Sequence, residues 1–111
     1  MVSEKSLYRL NAIEILLLYK MLWYHRLKLE GIHEMFKSAN VRIDVNKLRR
    51  IIYKLERKGL VERRRTWEKV NGKYRRVVLY SLSLEVKKSK KLQRRIEELF
   101  RSIYYPSSFY L

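Results

Sequence analysis

Asn46, Arg50, Tyr53 and Arg57 follow one another at intervals of four, three and four residues, the spacing that lines side chains along one face of a helix. Lys47, Arg49 and Lys54 flank that face. A guanidinium fork can donate twice to guanine O6 and N7, a carboxamide can pair with adenine N6 and N7, and a phenol can touch a thymine methyl or a phosphate. Asn46, Lys47, Arg49 and Arg50 fall in the first half of the helix, where base edges are reached. Each is equally compatible with a plain solvated face, and Arg57 with Lys58 fits a place beside phosphate. A second group, Arg64, Arg65, Lys69, Lys73, Arg75 and Arg76, offers charge alone. Such side chains contact backbone or minor groove and add affinity without distinguishing sequences.

Other chemistry finds little support. His25 and His33 are isolated and there is no cysteine, so no zinc ligand set forms and no metal or cofactor is expected. Asp44 stands alone, the glutamates are scattered, and no Gly-rich phosphate loop or nucleophile motif is present. Catalysis is not expected.

The elements that must position these residues can be read from periodicity. A helix over 44–58 places Val45, Leu48, Ile51, Ile52 and Leu55 on one stripe, with Asp44 as N-cap and Gly59 as the left-handed stop. A hairpin over 60–83 turns at Asn71-Gly72, the pair suited to a type I′ turn. That turn pairs Val70 with Lys73, Trp67 with Arg76, Arg63 with Tyr80 and Val61 with Leu82. Its base is apolar (Leu60, Val61, Leu79, Tyr80, Leu82) and its tip cationic. Solvated edge cations that only block aggregation are the bland alternative. Upstream, a short helix over 31–40 carries Ile32, Met35, Phe36 and Ala39, Asn40 ends it, and Val41 to Ile43 form a turn with Ile43 plugging the angle between helices. The first long helix, 6–28, is apolar on nearly all sides and needs cover on nearly all sides. A last helix, 85–104, bears a stripe of Leu92, Ile96, Leu99, Phe100 and Ile103, and Pro106 stops it. The apolar tail Phe109 to Leu111 is expected to dock.

The run LRRIIYKLERKGLVERR (48–64) followed by RRVVLYSLS (75–83) resembles the second half of a winged helix-turn-helix domain, as in the MarR-like, PadR-like and ArsR-like regulators. The resemblance implies a mainly α fold with a small antiparallel β-hairpin (α+β), one domain over 1–111 with an additional C-terminal helix, and double-stranded DNA as partner. It also implies a homodimer paired through that last helix. The residues themselves equally permit the helix to fold back on its own domain.

Charge points the same way. The chain of 111 residues has 27 Lys+Arg against 11 Asp+Glu, a formal charge of +16. Residues 42–76 hold 14 of the bases and four of the acids, so the excess sits on the helix and hairpin described above. Polyanions are the natural partners of such a surface. The start MVSEKSLYRLN lacks the pattern of a signal peptide, and the window 12–24 is interrupted by Glu14 and Lys20. A soluble, cytoplasmic protein (nucleoid or host cytoplasm) without a membrane partner is expected. Abundant Lys, Arg and Glu with no Cys resembles a heat-adapted proteome, archaeal or viral. No effector pocket is marked; Trp23, Tyr24, Tyr104 and Tyr105 form an aromatic cluster that either lines one or packs helices together.

Three functions fit. The first is a sequence-specific transcriptional regulator, and the second a non-specific architectural or chromatin protein. The third is a winged-helix protein-interaction module of transcription or replication machinery.

Overall fold

Asn11 decides where the longest apolar helix begins. Its side chain accepts from the Glu14 N–H at 2.9 Å, while the Glu14 carboxylate accepts from the Asn11 N–H at 2.9 Å. This reciprocal pair satisfies first-turn donors and starts a helix at the next residue. In the computed structural model, which describes residues 2–105, the chain accordingly opens with two helices, α1 (Glu4–Tyr8) and α2 (Ala12–Trp23), followed by α3 (Leu29–Ser38), α4 (Val45–Arg57), β1 (Val61–Val70), β2 (Lys73–Leu82), α5 (Leu84–Lys88) and α6 (Lys90–Tyr104). Pro106 and the Phe109–Leu111 tail lie outside the described residues.

The single helix expected over 6–28 is therefore corrected at both ends. The cap at Asn11 breaks it. Beyond Trp23 the backbone becomes extended at Tyr24, and Leu27 exchanges two backbone hydrogen bonds with Tyr80, at 2.9 and 2.7 Å. One residue thus acts as a third strand on the outer edge of β2.

α3 and α4 end in the same way. Asn40 (φ 60°) and Gly59 (φ 76°) adopt the left-handed conformation. The amides of Val41 and Leu60 then reach back to the carbonyls of Phe36 and Leu55, at 2.8 and 3.0 Å, closing the helix ends as Schellman motifs. A β-carbon at Gly59 would also lie 3.3 Å from the Val2 side chain. Gly59→Ala is expected to lower stability by about 1–2 kcal/mol, the left-handed penalty of an L-residue. That corresponds to a fall of several degrees in Tm by thermal denaturation, on the order of 4–8 °C per kcal/mol.

Asp44 occupies the N-cap position of α4, its carbonyl accepting from Leu48 at 2.9 Å. Its carboxylate makes no capping hydrogen bond, contrary to expectation. It is exposed and acts on the helix only through the dipole. Ile43, in the turn between α3 and α4, is buried, and His33 Nε2 donates to its carbonyl at 2.9 Å, which ties α3 to the turn.

The hairpin register matches the expected one at every pair, from Val61–Leu82 to Val70–Lys73, around Asn71 (φ 52°) and Gly72 (φ 80°). The helix expected over 85–104 is broken at Ser89. Ser83 caps α5 by accepting from Val86, and Ser89 caps α6 by accepting from Leu92, so a single turn and a long helix stand where periodicity alone implied one helix.

At the centre, α2 buries Ile15, Leu16, Leu17, Leu18 and Met21 against α6 on one side and β2 on another. Leu92, Ile96 and Phe100 of α6 belong to this same core, with Phe100 stacked on Tyr19 at 3.6 Å and the Tyr104 hydroxyl donating to the Ala12 carbonyl at 2.7 Å. Much of the expected dimerisation stripe is packed within the protomer. Leu92, Ile96 and Phe100 are used up within the protomer and Leu99 is half-buried against it, which leaves Ile103, 39% exposed, as the open member. Of the aromatic cluster, Tyr104 and Tyr105 pack on Phe100 and Trp23 meets Tyr19 edge-on, although Trp23 and Tyr105 remain more than half exposed. Tyr24 is exposed.

Candidate nucleic-acid interface

The amphipathic pattern of α4 fixes which side it shows. Leu48, Ile52 and Leu55 are buried, so the helix is anchored by one stripe and the opposite face must point outward. Asn46, Lys47, Arg49, Arg50, Tyr53 and Arg57 are all exposed on it. The Arg57 guanidinium lies 5.9 Å from the centre of the Tyr53 ring, which steadies both. Along this face Asn46 and Arg50 are one turn apart, a spacing that presents an amide and a guanidinium to neighbouring base edges.

The hairpin carries the cations of the second group but splits them between its two faces. Residues directly opposite in an antiparallel pair share a face. The register puts Arg63, Arg65, Trp67, Lys69, Tyr74, Arg76, Val78 and Tyr80 on one face, with no acid among them. The other face holds Arg64, Lys73 and Arg75 together with Glu62 and Glu68. Glu68 pairs with Lys28 and, at 3.5 Å, with Arg75. Hydrogen bonding from Lys28 holds the Glu68 carboxyl below its usual range, outweighing partial burial. All six cations singled out from the sequence are exposed, yet they do not form one set. Arg65, Lys69 and Arg76 share the acid-free face; Arg64, Lys73 and Arg75 share the mixed one.

Which face turns toward α4 follows from the base of the hairpin. Arg49 of α4 lines one groove with Lys28, Leu29 and Glu30 and with the β2 edge from both faces, Arg75 and Val77 as well as Arg76, Val78 and Tyr80. Arg63 reaches back to Glu56 of α4 at 3.7 Å. Burial, reinforced by the Glu56 carboxylate, raises the Tyr80 pKa against the opposing pull of Arg63 and Arg49. The phenol, one of the groups lining the groove, thus keeps its proton to a higher pH than a free tyrosine would. At the base of the hairpin the acid-free face thus meets α4 through Arg63 and Glu56, and the groove beside it gathers Lys28, Arg49, Arg75 and Arg76 around Glu30. Lys28 was not singled out from the sequence. Only the Leu27–Tyr80 bridge, which no periodicity announces, carries it to the hairpin.

Support helix, tight turn, outward helix and protruding ribbon together make a winged helix-turn-helix, the fold this chain adopts with an additional C-terminal helix. A solved structure of the same architecture is that of wild-type MarR from E. coli in its apo form. It superimposes with a TM-score of 0.55 at 15% identity, over 96% of this chain and 78% of the MarR chain. At that identity the likeness speaks for the fold. No family model and no curated protein matches the chain by sequence. Among the described residues no helix is long and apolar enough to cross a membrane, and no three metal-binding side chains gather.

Proposed function

We propose that this protein is a double-stranded DNA-binding transcriptional regulator. It would lay α4 in the major groove and the hairpin along the backbone or in the adjacent minor groove. The observation that carries the reading is the outward face of α4. It offers Asn46, Arg50 and Tyr53, groups capable of directional hydrogen bonding, where a purely electrostatic binder needs only charge. Its role is binding, with no turnover. As a homodimer it would present two α4 helices about one helical turn apart, roughly 34 Å, to a pseudo-palindrome. The pairing surface would have to lie outside the buried stripe of α6.

Selection from random duplexes followed by a mobility-shift titration tests the reading. A selected duplex is expected to bind about 10³-fold or more tighter than random DNA at the same salt, as specific sites do. Equal affinity for every duplex removes it. The formal charge of +16 favours a second reading, an architectural protein bound by counterion release alone. In that case affinity falls with salt at about −0.9 per phosphate engaged and no sequence stands out.

A further inference from the structure

Large aromatic side chains are seldom left in water without use, and the hairpin leaves two. Trp67 is 62% and Tyr74 69% exposed. The register places Trp67 opposite Arg76 and Tyr74 opposite Lys69, so both rings lie on the acid-free face, the one whose base meets α4 through Arg63 and Glu56. Each has a cation over it: the Arg76 guanidinium lies 5.4 Å from the Trp67 ring centre and the Lys69 ammonium 5.7 Å from that of Tyr74. Tyr53, 56% exposed, offers a third ring from α4. Backbone phosphate has no need of rings. Bases do, because every base has a π-face that stacks on an aromatic side chain, and a nearby cation takes the adjoining phosphate.

From this arrangement we infer that the α4-side face of the hairpin is a stacking platform for unpaired bases, with Trp67 and Tyr74 as its two rings. The inference rests on the DNA-binding reading and adds a preference for DNA that is locally opened or single-stranded. Spacing supports it. The Trp67–Arg76 and Lys69–Tyr74 rows are two residues apart, about 6.8 Å along a strand, whereas bases stacked in a duplex strand follow every ~3.4 Å. Rings so spaced suit successive bases that have been pulled out of stack.

The protein carries two tryptophans, so Trp23→Phe leaves Trp67 as the sole indole, excited selectively at the red edge beyond tyrosine absorption. Oligothymidylate is expected to quench its emission saturably. In the native background, Trp67→Ala and Tyr74→Ala are each expected to weaken binding of oligothymidylate, and of a duplex carrying a thymine bulge, by roughly 5-fold to 150-fold. Trp67→Phe should retain most of it, and a fully paired duplex should bind all four proteins alike. Both side chains are exposed, and unchanged circular dichroism would verify the fold. Equal weakening on paired and unpaired DNA, or the absence of quenching, overturns the inference. If the paired duplex still binds in that case, the proposed function stands; if no DNA of either kind binds the native protein, both fall.

Discussion

Replacing Asn46 and Arg50 together by alanine is expected to abolish discrimination between a selected duplex and random DNA while leaving the protein folded. Each bidentate contact to a base edge supplies about 1–3 kcal/mol of discrimination. Losing both should therefore narrow the ratio of cognate to random affinity by about 30-fold at the least. Binding to random DNA should change far less. Arg49, Arg57 and the hairpin cations remain in place and exposed, and the salt slope should shallow by no more than about one unit, for the single charge removed. Lys69→Ala with Arg76→Ala makes the informative contrast. Those cations lie on the acid-free hairpin face, and their loss should weaken every duplex about equally. Neither pair touches the core, so Tm should move little, surface substitutions usually staying within about 0.5 kcal/mol. If the Asn46/Arg50 variant keeps the selectivity of the native protein, the outward face of α4 is not what reads sequence.

Local chemistry decided how much of this was legible beforehand. The hairpin was readable because two signals agreed: Asn71-Gly72 can take positive φ at both turn positions, and the pairing it sets puts Val61 and Leu82 together at the core. α4 was readable because its apolar stripe and its polar face are cleanly separated. The breaks at Asn11 and Ser89 were written in the sequence as a cap residue three before Glu14 and three before Leu92. In both places a continuous run of apolar spacing outweighed the cap. Two further features could not be read from periodicity at all. An apolar stripe states that it must be covered, not by what, and α6 packs most of its stripe against α2 of the same chain. Alternation divides the hairpin cations into two faces but does not say which turns inward. That needed the reach of Arg63 to Glu56 of α4 and the edge pairing of Leu27 with Tyr80.

Removing the ring at Phe100 should be among the most damaging single changes in the chain. It is buried between α6 and α2, its ring parallel to Tyr19 within 5° at 3.6 Å and in contact with Tyr104. Phe→Ala in such a setting costs about 3–5 kcal/mol through lost burial and the cavity left behind. Loss of the aromatic stack lies within that range. For a domain of this size the corresponding fall in Tm is on the order of 12 °C or more. Ile103→Ala, on the open side of the same helix, should scarcely register. The concentration dependence of this measurement carries the structural question. A stripe buried within one protomer stabilises the fold equally at any protein concentration, whereas one buried between subunits would make Tm rise with concentration by mass action. The loss caused by Phe100→Ala is therefore expected to be the same in dilute and concentrated samples. Should the native Tm climb with concentration and the variant's not, α6 would be pairing subunits after all, and its packing against α2 would have to be given up.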